Sequence, residues 1–293
     1  MNRPQTVTFN TVTQYPLKIT GGGNAKFSST SPTQDEWFDA GQSTSIITDQ
    51  IWNFAEGKSR SQLVAWQLDT GEKTSIQRSQ SGQFTTPAVN VDAGHTITLL
   101  DVTQYWLAID PSGGSVDKTS QWLDKGSTVT ITATSPSAIT ANRSRLLFTG
   151  WSGSDPTSNT TISVMMNTYK SYAANWKPQY YVQVITPIGS ATGEGWYDSG
   201  SIATVKITPT TQGVLIQQAF DGWTGGLTSK DPEAKLVVNS SAVVTAKWNT
   251  DYTQLILALT TAGLVGTGAL LTLRKRKPNG STVNLNNTPQ QTL

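Results

Sequence analysis

Three aromatic landmarks recur in the same order along this chain, and their spacing constrains the fold more than any other feature. A Tyr preceded by Gln opens each copy, at Tyr15, Tyr105 and Tyr180. A WxDxG turn follows: Trp37, Asp39 and Gly41; Trp122, Asp124 and Gly126; Trp196, Asp198 and Gly200. A second Trp completes the set at Trp66, Trp151 and Trp223, lying 29, 29 and 27 residues beyond the first. Chance does not keep such intervals, so the chain reads as a series of like modules, each with its own small core. From the second Trp to the next Tyr the interval is 39, 29 and 29 residues, the last ending on Tyr252.

Each copy reads as four or more strands. In the third, residues 202–207 alternate cleanly between apolar and polar, and 180–185, 214–223 and 236–248 supply the rest. The second copy runs in parallel, at 105–109, 128–133, 146–151 and 162–176. The first is longer, with insertions around 50–58 and 72–83. The expected fold class is all-β: tandem small modules, sandwich or β-grasp-like, at 14–103, 104–178 and 179–251, followed by one transmembrane α-helix.

The helix is expected at 253–273, a run of 21 residues without a charge, stopped at once by Arg274, Lys275, Arg276 and Lys277. At ~1.5 Å per residue such a run reaches ~32 Å, enough to cross a hydrocarbon core of ~30 Å. Four cations on its far side place the tail at 274–293 in the cytoplasm and residues 1–251 outside the plasma membrane. The tail is polar, without an apolar period, and is expected to be disordered.

Before the first copy, residues 5–15 (QTVTFNTVTQY) align without gaps to residues 95–105 (HTITLLDVTQY), with six identities. Residues 1–13 are therefore expected to hold the closing strand of a preceding repeat. On this reading the chain is the C-terminal part of a longer exported protein, which also accounts for the lack of a secretory signal at residues 1–10. The alternative is that the strand completes the first module's sheet.

Composition narrows the function classes. Ahead of the anchor, 17 basic residues meet 19 acidic ones, so the outer part is near neutral and offers no nucleic-acid surface. With no Cys there are no disulfides and no thiolate metal sites, and each module must be held by an apolar core. Ten Trp, eight Tyr and seven Phe can supply it.

The landmarks resemble the divergent B-repeat modules of the internalin type, found in bacterial and archaeal surface proteins. The third copy carries GEGWYDSG (193–200), AFDGW (219–223) and TAKW (245–248); the second carries QWLDKG (121–126), LFTGW (147–151) and AANW (173–176). The first copy departs from the pattern, with Ala65 before Trp66 and no terminal Trp. The resemblance implies small β modules strung as a spacer or adhesive stalk, with no catalysis and no cofactor. An LPxTG sorting motif is absent, so a membrane helix is the expected anchor.

Few residues suggest chemistry. A lone His95 cannot build a multi-His metal site, and it starts an alternating strand, so a structural place is expected. Asp39, Asp124 and Asp198 are expected to be turn-makers; a Ca²⁺ site at Asp198, Glu194 and Asp221 is the weaker reading, since no DxDxDG-like run is present. The six repeated Trp are expected to be core anchors, while Trp52 and Trp106, outside the repeat, are freer to stack on a sugar or a partner. Asn142, Asn159 and Asn239 head sequons and are candidate glycan acceptors. The chain is thus expected to be a non-catalytic, membrane-anchored stalk or adhesion protein contacting membrane lipid and a surface protein or glycan. The alternatives are the stalk of a larger exported hydrolase and a carbohydrate-binding surface module.

Overall fold

The computed structural model describes residues 3–55, 57–137 and 143–274, with side chains described as far as residue 265 in the final element. The described residues form two compact units, one from residues up to 139 together with 145–177, the other from 140–144 together with 178 onward. Apart from one helix, Thr253–Arg274, the regular elements are strands.

The Tyr of each copy sits on a strand with two different neighbours. On one side that strand pairs antiparallel with the WxDxG strand, so that Tyr15 faces Phe38, Tyr105 faces Leu123 and Tyr180 faces Tyr197. On the other it pairs parallel with the strand that closes the same module. Leu17 to Thr20 run beside His95 to Thr98, Leu107 to Asp110 beside Lys170 to Ala173, and Val182 to Ile185 beside Ala242 to Thr245.

Parallel neighbours need a long crossover. Here part of the crossover forms a second, antiparallel sheet of three strands: Gly23–Phe27, Ile46–Asp49 and Gln83–Thr85; then Ser115–Val116, Thr128–Thr134 and Thr161–Met165; then Ser190–Thr192, Ser201–Thr208 and Glu233–Val238. The core of each module lies between its two layers. Period-2 alternation does the sorting: Ala203, Val205 and Ile207 are buried, whereas Ile202 on the other face is 58% exposed.

The second core gathers Leu107, Ile131, Phe148, Trp151, Val164, Met166 and Tyr172, and the third Val182, Val205, Ile207, Trp223 and Val244. The first divides into two smaller groups, one around Ile46, Leu63, Ile97 and Leu99, the other around Leu17, Phe38 and Val91. The insertion at 50–58 forms the strand Ile51–Ala55, which hairpins onto Ser59–Leu68. The apolar stretch at 214–216 lies outside the strand, which starts at Gln217, and the last expected element resolves into two strands, Glu233–Val238 and Ala242–Asp251.

Two strands serve twice. His95–Asp110 closes the first module and opens the second, and Lys170–Ile185 runs from the closing pairs of the second into the opening pairs of the third. The first two modules are further joined by the ladder between Ser59–Leu68 and His95–Asp110, which continues past the first module to Gln104 beside Arg60 and Tyr105 beside Ser59. They accordingly share the first compact unit.

Two expectations meet a different picture. Residues 3–13 lie outside any strand and are exposed, with Val7 at 71% and Phe9 at 84%. They do not complete the first module's sheet, whose closing position is filled by His95–Thr98. At the other end a helix covers 253–273, and Thr260 and Thr261 hydroxyls donate back to the Leu257 carbonyl at 2.8 and 2.9 Å, as apolar surroundings would require. Among the described residues, however, no helix is long and apolar enough to cross a membrane. The side chains of 266–274, and Lys275, Arg276 and Lys277, lie outside the described residues.

Candidate functional site

The three copies share one polar device. Gln14 donates from Nε2 to Asp39 Oδ1 at 2.9 Å, Gln104 to Asp124 at 2.8 Å and Gln179 to Asp198 at 2.8 Å. The Gln before each Tyr therefore holds the Asp of its WxDxG turn across the strand pair. The Asp remains a turn residue through its carbonyl, which accepts from Gln42 N and from Ser127 N, and from the Ser201 hydroxyl. The glycines at 41, 126 and 200 have φ of 87°, 83° and 80°, the left-handed region that favours Gly. Their amides donate to the carbonyls of Val91, Met166 and Val238, tying each turn to the stretch that leads into the module's closing strand.

The repeated Trp residues divide into two kinds. Trp151 and Trp223 are buried at 2% and 1% exposure, and Trp66 is half-buried against the first core. The Trp of the WxDxG turn is not a core anchor: Trp37 is 44% exposed, and Trp122 and Trp196 are half-buried. Their neighbours Phe38, Leu123 and Tyr197 occupy the core face instead.

On the outer face Trp122 pairs with Trp106, ring centroids 5.3 Å apart and planes tilted by 58°. Phe54 meets the Trp122 ring edge-on at 6.4 Å, and the Arg60 guanidinium stacks over it at 4.4 Å. Arg60 is almost fully buried; burial pushes its pKa below the usual guanidinium value, and it donates to Gln104 Oε1 at 2.8 Å and Gln80 Oε1 at 2.7 Å. Arg78 grips both oxygens of Asp124, at 3.0 and 2.9 Å. Burial works to raise the Asp124 pKa, but the Gln104 amide and Arg78 outweigh it and hold the carboxyl below its usual range.

This cluster is a joint. Residues of the first module cover Trp122 and the turn of the second, so the pair of indoles is neither coplanar nor open on both sides. The third module repeats the theme in smaller form, with Tyr181 against Trp196 at 5.3 Å and Arg143 over Tyr181 at 5.8 Å. Trp52, expected to be a freer aromatic, packs on the first core and lies within 2.6 Å of where a side chain at Gly23 would begin.

The remaining candidates resolve individually. His95 bridges two carboxylates, Nδ1 to Asp69 at 2.7 Å and Nε2 to Asp92 at 2.8 Å, and these raise its pKa, Asp69 first. The carboxylates weighed for Ca²⁺ each have their own partner: Asp198 takes Gln179, Asp221 takes Lys230 at 2.7 Å, and Glu194 takes the Tyr181 hydroxyl at 2.6 Å and Val184 N. The hydrogen bond from Tyr181 keeps Glu194 below its ordinary pKa. Buried Tyr172 donates to Asp155, which also meets Lys170 at 3.0 Å; burial chiefly drives the Tyr172 pKa up. Asn159 and Asn239 are exposed outside the strands, and Asn142 lies outside the described residues. An open cleft of about 470 Å³ in the first module is lined by Trp66, Ile76 and Phe84, with Gln50 on its polar side.

The geometry defines a class: tandem two-layered β repeats whose first and last strands pair in parallel. Residues 105–179 match the family model of the divergent InlB B-repeat domain, so the second module is one of these domains. The match runs from one landmark Tyr to the Gln before the next, one full period. No curated protein and no solved structure matches the chain.

Proposed function

We propose that the chain is a non-catalytic cell-surface stalk or adhesion protein. Its modules project from the membrane, and the helix after the last of them is the anchor. The observation that carries the reading is the single register kept by three successive modules, together with the B-repeat match at 105–179. Asp124 and Arg60 are engaged at the joint between the first two modules, Asp124 with Gln104 and Arg60 over Trp122. The membrane anchor rests on sequence: 21 uncharged residues at 253–273 followed by four cations. Candidate partners are membrane lipid through the helix, and a surface protein or glycan through the module faces.

Protease shaving of intact bacterial cells expressing the full chain with a C-terminal tag tests this. The modules are expected to be cleaved from outside while a membrane-bound, tagged fragment of the tail stays protected. Recovery of the whole chain, uncleaved, in the cytosolic fraction would overturn it.

A further inference from the structure

The duty of the two long strands fixes what a strand of this sequence does. Residues 5–20 align with His95–Asp110 over their whole length, with eight identities: Thr6, Thr8, Val12, Thr13, Gln14, Tyr15, Leu17 and Ile19. The second half of each stretch does the same work, since Gln14–Thr20 opens the first module as Gln104 to Asp110 opens the second. The first halves differ. Ile97 and Leu99 are 0% and 3% exposed in the core of the module they close, while Val7 and Phe9 at the matching positions are 71% and 84% exposed. Val12, matching half-buried Val102, is 66% exposed.

From Pro4 to Leu17 the chain carries no charge, and Thr6 to Phe9 alternates as a half-buried strand does. An uncharged, β-prone segment left open is a template for pairing, and proteins manage such segments by covering them. The place that could cover it within residues 14–293 is taken, because His95–Asp110 already lies beside both Gln14–Thr20 and Ser59–Leu68.

We propose that Gln5–Thr13 is competent as the closing strand of a β module of this repeat class other than those built by residues 14–293. In that module the segment runs parallel to the Tyr-bearing first strand and antiparallel to the strand carrying the second Trp, and it turns Val7 and Phe9 into the core. The partner is thus defined by chemistry: a two-layered repeat body with an empty slot between those two strands. The inference stands apart from membrane anchoring.

The test is a chain in which a second copy of residues 14–94 is placed directly before Gln5, so that residues 5–13 follow a module body that lacks its own closing strand. Hydrogen exchange is read on residues 5–13 in this chain and in the parent. The expected result is slowing by at least about 100-fold in the extended chain, as for His95–Thr103, with fast exchange in the parent. Val7→Asp with Phe9→Asp in the extended chain should abolish the protection while residues 14–293 keep theirs. Unchanged fast exchange at 5–13 in the extended chain would overturn the proposal. Concentration-dependent protection in the parent would also overturn it, in favour of pairing with a second copy. As a check on strand competence, His95→Gln, Ile97→Val, Leu99→Phe, Leu100→Asn and Asp101→Thr together give His95–Thr103 the sequence of 5–13. A folded chain is expected, and loss of the first module's protection would count against the proposal.

Discussion

The first and third modules place the same landmark in unlike settings. Trp223 is 1% exposed, its indole donates to the Asp231 carbonyl at 3.1 Å, and Phe220 meets it edge-on at 5.3 Å. Trp66 is half-buried, flanks an open cleft, and belongs to a core whose interior includes the buried polar side chains of Gln62 and Thr48. The residue before the Trp shows why. In the third module a short return brings Ser229 back to Trp223, six residues on, and the backbone oxygen of Ser229 lies 2.7 Å from where a side chain at Gly222 would begin. In the first module the return is longer: Trp66 pairs with Thr74, and Ala65 fits beside Ser75. One loop length thus decides whether the GW pair is needed and how deeply the Trp can sit.

The comparison is broken most strongly by truncation. Trp223→Ala and Trp151→Ala should each cost about 3–5 kcal/mol in denaturant unfolding, and Trp66→Ala clearly less. Next come the neighbours. Gly222→Ala places a side chain against Ser229 at φ 128° and should cost about 1–3 kcal/mol, whereas Ala65→Gly should cost about 0.5–1 kcal/mol.

A finer contrast separates the second and third modules. Trp151 Nε1 is buried and meets no acceptor among the described residues, while Trp223 Nε1 has one. Trp223→Phe should therefore cost about 1 kcal/mol more than Trp151→Phe, read in the same unfolding experiment.

The smallest effect is on pH. The His95 pKa is raised by Asp69 and Asp92, so the folded chain holds its proton more tightly than the unfolded one. Its contribution is complete below the unfolded value of about 6.5 and fades as pH rises through the higher folded value. Unfolding midpoints at pH 5.5 and 8.5 should show this loss, and His95→Gln should remove it.

The register of the modules was legible because Tyr and WxDxG are fixed points on paired strands. The phase of the WxDxG strand was not. WFD, QWLD and GWYD offer two adjacent apolar residues on a strand of three or four, and period-2 alternation lets either one face inward. Bulk alone favours the Trp for the core, but the structure turns Phe38, Leu123 and Tyr197 there instead. The Gln was visible beside each Tyr, yet its partner Asp stands 25, 20 or 19 residues on, a distance that local pattern does not bridge. The joint around Arg60 was hidden for the same reason: Arg60, Phe54 and Trp122 come together only after two modules share a ladder.

The parallel pairing of opening and closing strands has a mechanical meaning. A module stretched by its two ends is pulled at the start of one strand and at the finish of its neighbour, which lie at opposite ends of the pair. The hydrogen bonds between Leu107 to Asp110 and Lys170 to Ala173 then lie across the direction of pull and must yield together, in shear. Antiparallel neighbours pulled from a shared end would unzip, each bond breaking in its turn. Within a module, a pull on its two ends therefore loads the whole ladder at once.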